Sequence, residues 1–122
     1  MRRSRVILLV EPDEGSRVTF QVVLKREGFV VLEATNASET LEQIRESVPD
    51  LLITEMRLPR TSGTKLIRMI RGEESHRNLR ILAIGNESAR RDATAAGADG
   101  FQATPVAPEQ LVKAVTGLIG RA

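Results

Sequence analysis

Five short apolar runs punctuate the chain: Val6 to Val10, Phe29 to Leu32, Leu51 to Thr54, Ile81 to Ile84, and Phe101 to Ala103. Each has the length of a strand. Val/Ile/Leu-rich runs without polar alternation suit strands covered on both faces, as in a parallel sheet. The segments between them have helical period and readable ends. Ser16 starts the first helix and Gly28 closes it after Lys25 and Arg26, with Phe20, Val23 and Leu24 at the spacing that faces a sheet. Asn36 caps the second, and Glu39 three residues on completes a capping box; Ser62 precedes the third. Pro108 lies in the first turn of the last helix, where its missing N–H costs nothing, and Gly120 lies at its end.

Repeated βα units joined by short links predict right-handed crossovers and a flavodoxin-like, doubly wound parallel sheet of five strands in the order 2-1-3-4-5. One domain over residues 1–122 is expected, its core running from about residue 5 to residue 120. Ligands in such sheets bind at the carboxyl edge of the strands. The residues placed there are Glu11-Pro12-Asp13, Glu55, Gly85-Asn86 and Thr104-Pro105.

Composition narrows the picture in three ways. The 122 residues, 41% hydrophobic, suffice for one core of ordinary size, and the absence of cysteine excludes disulfide and thiolate chemistry and fits a reducing cytoplasm. The net charge is +2, but Arg17, Arg26, Arg45, Arg68, Arg80 and Arg90 alternate with Glu14, Glu27, Glu46, Glu73 and Glu87, so only Met1 to Arg5 forms a basic run. With aromatics at 2% and neither Trp nor Tyr, a base-stacking platform is missing, and no nucleic-acid partner is expected for this chain alone. The apolar run behind Arg5 is too short for a signal-peptide core or a membrane span. His76, within Glu73-Glu74-Ser75-His76-Arg77, reads as a solvated loop residue.

Three segments carry a family resemblance. Leu8 to Glu14, Pro49 to Gly63, and Ala96 to Phe101 followed by Thr104-Pro105 together resemble the bacterial response-regulator receiver family, over nearly the whole chain from Val6 to about Ile119. The resemblance implies that Glu55 stands where the family keeps the aspartate that takes a phosphoryl group from a histidine kinase. One extra methylene displaces that carboxylate by roughly 1.5 Å, a misplacement that costs orders of magnitude in rate. Aligned on Val10 and Arg17, the two metal-binding acids of the family fall on Glu11 and Pro12, and proline has no side-chain oxygen. Asp13 comes one residue late; its carboxylate points elsewhere unless a shifted turn brings it into the site. Gly85 stands at the position of the family's hydroxyl, Thr104 at that of its lysine, and Pro105 at that of its cis proline. Phe101 stands at the position of the aromatic switch residue, with an ordinary half-buried aromatic as the alternative.

The expectation is therefore a degenerate receiver, or pseudo-receiver, that acts by protein–protein contact. It has no catalytic residue, no metal of its own, no required cofactor, and at most weak Mg²⁺ binding. The alternative is a regulator still phosphorylated weakly through altered metal chemistry. An enzyme on the same sheet is disfavoured because the acidic turn Glu11 to Gly15 repels phosphate. Glu11 and Glu55 are expected close together, their like charges pushing one carboxylate's pKa upward unless a cation intervenes, and Arg57 is the candidate cation. Partners implied are a histidine kinase, a phosphotransfer protein or an output protein, with a second copy of the chain as a further candidate. The i, i+4 pair Val18 and Val22 on the first helix, joined by Val112 of the last, is the expected docking face.

Overall fold

The computed structural model describes residues 3–122; Met1 and Arg2 of the basic run lie outside them. In chain order the elements are β1 (Val6–Val10), α1 (Glu14–Arg26), β2 (Val30–Ala34), α2 (Ala37–Glu46) and β3 (Leu51–Glu55). A two-residue hairpin, β4 (Arg57–Leu58) and β5 (Thr61–Ser62), leads into α3 (Gly63–Gly72). Then come β6 (Arg80–Gly85), α4 (Arg90–Ala96), β7 (Gly100–Ala103) and α5 (Pro108–Ile119). Every pairing in the main sheet is parallel, in the order β2-β1-β3-β6-β7. The hairpin strands set aside, this is the 2-1-3-4-5 order read from the apolar runs. Among the described residues no helix is long and apolar enough to cross a membrane.

Side chains alternate across the pleat, so one sheet feeds two cores. Leu8, Val10, Leu52, Ile81 and Ala83 pack with Leu41 and Ile44 of α2 and Leu66, Ile67 and Ile70 of α3. Ile7, Leu9, Leu51, Ile53, Leu82 and Ile84 pack on the other side with Leu24 of α1 and with Leu111 and Val115 of α5. Phe20 and Val23 lie partly buried against this second core, as their spacing predicts.

Element ends follow local chemistry with three corrections. Helix α1 begins at Glu14, not Ser16, because the Asp13 carboxylate accepts the Ser16 backbone N–H at 2.9 Å and so takes the cap. At α2 the Asn36 side chain accepts the Glu39 N–H at 2.8 Å, but the Glu39 carboxylate reaches back one residue further than a capping box, to the Thr35 N–H at 2.7 Å. The second strand starts at Val30 because the Phe29 N–H still bonds to Leu24 O at 3.2 Å, through Gly28 at φ 95°. Ser62 caps α3 through the Lys65 N–H at 3.1 Å, and Pro108 opens α5.

His76 is not a solvated loop residue. A short helical turn, Glu74–His76, folds it against the end of α3, where it is 6% exposed with Nε2 3.1 Å from Glu73 Oε2. Its Nδ1 is buried without a hydrogen-bond partner among the described residues.

Candidate functional site

Parallel strands deliver their carboxyl ends to one edge, and there the loops after β1, β3, β6 and β7 enclose an open cleft of about 800 Å³. Glu11, Asp13, Glu55, Gly85 and Thr104 all line it.

Glu11 leaves β1 with its own N–H bonded to Ala34 O at 3.0 Å, and the residue is 7% exposed. Its Oε2 accepts the Asp13 N–H at 2.9 Å. Burial is the main force raising its pKa, with the Asp13 N–H opposing and the Glu55 and Asp13 charges adding to the rise. Glu55 ends β3, and burial raises its pKa as well, against the N–H groups of Arg57 and Met56. Desolvation is thus the chief cause raising both acids, and the Glu55 charge adds a smaller rise at Glu11 alone.

Pro12 presents no donor to the cleft, and its turn is held from behind. Arg17 Nη1 donates to Glu11 O at 2.8 Å, while its Nε lies 3.3 Å from Glu33 Oε1 on β2. Gln21 donates to the other Glu33 oxygen at 2.9 Å. Asp13 lies at the rim, its carboxylate engaged in the cap, and hydrogen bonds from Ser16 lower its pKa. Cap and cleft draw on the same carboxylate. Arg57 contributes its backbone N–H to Glu55 Oε1 at 3.4 Å, and its charge is the least of the influences on that acid. Among the described residues its guanidinium forms no ion pair within 4.0 Å.

Gly85 closes β6 against Met56. A Cβ at position 85 would lie 3.1 Å from Met56 Cβ, 3.3 Å from Met56 Cγ and 3.6 Å from Glu55 Oε1. Met56 is itself buried, its N–H bonded to Ile84 O and its carbonyl accepting the Gly63 N–H, each at 2.8 Å. Methionine thus occupies the space that a side chain at position 85 would need. Thr104 bonds through its N–H to Gly85 O at 2.9 Å and reaches Asn86 Oδ1 at 3.4 Å with its hydroxyl; the Thr104–Pro105 bond is cis. Phe101 is 7% exposed, more buried than an ordinary half-buried aromatic, with Arg90 Cζ 4.8 Å above the ring centroid. Arg90 is in turn paired with Glu87, its Nε and Nη2 donating to the two carboxylate oxygens.

Val18 and Val22 are 48% and 38% exposed on the outer face of α1. Val112 is half-buried and lines a different hollow with Glu27, Phe29 and Thr116. The residues that sequence reasoning missed are Met56 and the Arg17–Glu33–Gln21 bracket. Only the bracket left a signal, in the i, i+4 spacing of Arg17 and Gln21.

Two partly desolvated carboxylates and a threonine hydroxyl give the cleft an acidic lining that disfavours anions. The donor set does not fit the magnesium site that the resemblance implies. Pro12 supplies no side-chain oxygen, and one Asp13 carboxylate oxygen is engaged in capping its helix.

Comparison with known proteins places this geometry in context. The model of the response regulator receiver domain matches residues 7–116. The phosphate regulon transcriptional regulatory protein PhoB of Rhizobium meliloti is 33% identical over 119 residues, 95% of this chain and 52% of that protein. Transcriptional regulatory protein ResD of Bacillus subtilis is 29% identical over 95% of this chain and 48% of its own length. The chain thus spans about half the length of these regulators. A crystal structure from Chloroflexus aurantiacus assigned as a response regulator superposes with a TM-score of 0.94 at 30% identity, covering 98% of this chain and 100% of that one. The chemotaxis response regulator CheY4 of Vibrio cholerae shares the fold at TM-score 0.90 and 22% identity, over 95% of this chain and 99% of that one.

Proposed function

The chain belongs to the response regulator receiver domain family of two-component signalling, and from that premise we propose that it signals by protein–protein contact without a phosphoryl switch. The observation that carries this reading is the seat of Met56 between Gly63 and Gly85, which fills the space beside Glu55 where a hydroxyl-bearing side chain would stand. Pro12 and Thr104 remove a metal ligand and a cation from the same cleft, so four changes converge on one site. A phosphoryl group entering it meets two carboxylates and no lysine, and like-charge repulsion opposes its capture. The partner is a histidine kinase, a phosphotransfer protein or an output protein that reads the fold in its resting form.

Incubation with acetyl phosphate and Mg²⁺, followed by intact-mass spectrometry, tests the proposal. No phosphoryl adduct is expected on the natural chain or on Glu55→Asp alone. An adduct on the natural chain would favour the weakly phosphorylated regulator instead. A titration followed by amide shifts at Glu11 and Glu55 is expected to show no saturable Mg²⁺ binding below about 10 mM.

A further inference from the structure

The outer face of α1 carries exposed apolar and charged residues set in pairs about one position. Phe20 and Leu24 point to the core, and Glu14, Gly15, Val18, Val22, Lys25 and Arg26 are exposed. At about 100° per residue, Val18 and Val22 lie within roughly 20° of the direction opposite Phe20, with Gly15 and Lys25 at roughly 40° and Glu14 and Arg26 at roughly 60° to either side. Each of these pairs is also centred on position 20 along the helix. The acid lies in the first turn and the bases in the last. Among the described residues, Glu14, Lys25 and Arg26 have no ion-pair partner within 4.0 Å.

We propose that this face binds a second copy of itself, the two α1 helices packing antiparallel about a twofold axis that passes over position 20. In that register Val18 of one copy meets Val22 of the other at the centre. Glu14 meets the opposite Arg26 at each end, and Gly15 leaves room for the Lys25 stem. Every apolar contact and every ion pair occurs twice, as an isologous interface requires. Opposite charges at both ends favour antiparallel over parallel pairing, which would set Glu14 against Glu14 and Arg26 against Arg26. A parallel pair is therefore repelled. The helix has 13 residues and so is about 20 Å long, and the contact falls short of the roughly 1,200 Å² of a stable interface. The dimer is accordingly weak, with a dissociation constant on the order of 0.1–1 mM, and it responds to local concentration. The cleft takes no part in it, so it stands whether or not Glu55 accepts a phosphoryl group.

Sedimentation equilibrium of the full chain up to about 2 mM tests the proposal, with far-UV circular dichroism confirming that each variant is folded. The natural chain should self-associate, and Val18→Glu with Val22→Glu should weaken association at least tenfold. Glu14→Arg and Arg26→Glu should each weaken it alone. Mixed one to one, those two variants should associate with each other more tightly than either does with itself, because the mixture alone restores both end pairs. A strictly monomeric natural chain overturns the proposal. So does self-association unaffected by the valine substitutions, a mixture no tighter than its components, or a valine pair that serves only to bind a different protein.

Discussion

Gly85 and Met56 show how one residue's identity is set by another that is distant in sequence. A Cβ at position 85 would come within 3.1 Å of Met56 Cβ, tighter than ordinary packing, so methionine must shift if a side chain is added. Gly85→Thr is therefore expected to cost about 1–3 kcal/mol in urea unfolding. Most of that cost should vanish in the background of Met56→Ala, a non-additive result that a double-mutant cycle reads directly. Equal costs in both backgrounds would show that Met56 does not hold the glycine in place. The glycine itself was legible from sequence as a position without a side chain at the strand's end. Its cause was not, since the methionine meets it only once β3 and β6 pair side by side.

Glu55 gives a pH test at the same scale. Burial raises its pKa in the folded chain above the ordinary 4.5. Between 4.5 and that raised value the folded state keeps a proton that the unfolded state has lost, so this group's contribution to stability falls as pH rises. Above the folded value the loss is complete and persists at neutral pH. Glu55→Gln lacks this slope. Its stability relative to the natural chain should rise from pH 4 towards pH 7, followed by urea midpoints, and removing the Glu55 charge also relieves Glu11. A constant difference across that range would refute a Glu55 whose pKa is raised by partial burial.

Helix α3 carries two glycines of opposite meaning. Gly63 opens the helix directly against the exit of β3, where an added Cβ would lie 2.7 Å from Met56 Cα and 2.9 Å from Glu55 O, both backbone atoms that cannot swing aside. Gly72 ends the same helix with nothing within 4 Å of its Cβ position. Gly63→Ala should destabilise by at least the 1–3 kcal/mol typical of overpacking, while Gly72→Ala should be neutral or stabilise by up to about 1 kcal/mol. Matching effects at the two sites would mean that helix propensity, not the β3 contact, governs both. The positions of the helices were legible from capping residues, but their ends were less so. Asp13 was readable as a cap from the Asp-x-x-Ser spacing to Ser16, yet its acidity drew it towards the cleft instead. His76 was misread because polar neighbours suggest solvent, whereas the turn that buries it against Glu73 depends on tertiary packing.

For the whole molecule the apolar runs were decisive, because unbroken Val/Ile/Leu segments separated by helices admit few topologies. The hairpin β4–β5 escaped notice, since two residues per strand leave no period to read. The sheet divides the interior into two cores, and adjacent residues of β3 feed opposite ones: Leu52 faces α2 and α3, Ile53 faces α1 and α5, and both are fully buried. Leu52→Ala and Ile53→Ala should each cost about 2–5 kcal/mol, from lost burial plus the cavity left behind. Neither core can melt alone, because the strands that line one also line the other through their alternate residues. Unfolding should therefore stay a single transition in both variants, with methyl resonances of Ile70 and Val115, one from each core, disappearing at the same urea concentration. If Ile53→Ala released Val115 while Ile70 stayed packed, the cores would be separate cooperative units and the sheet merely a partition between them.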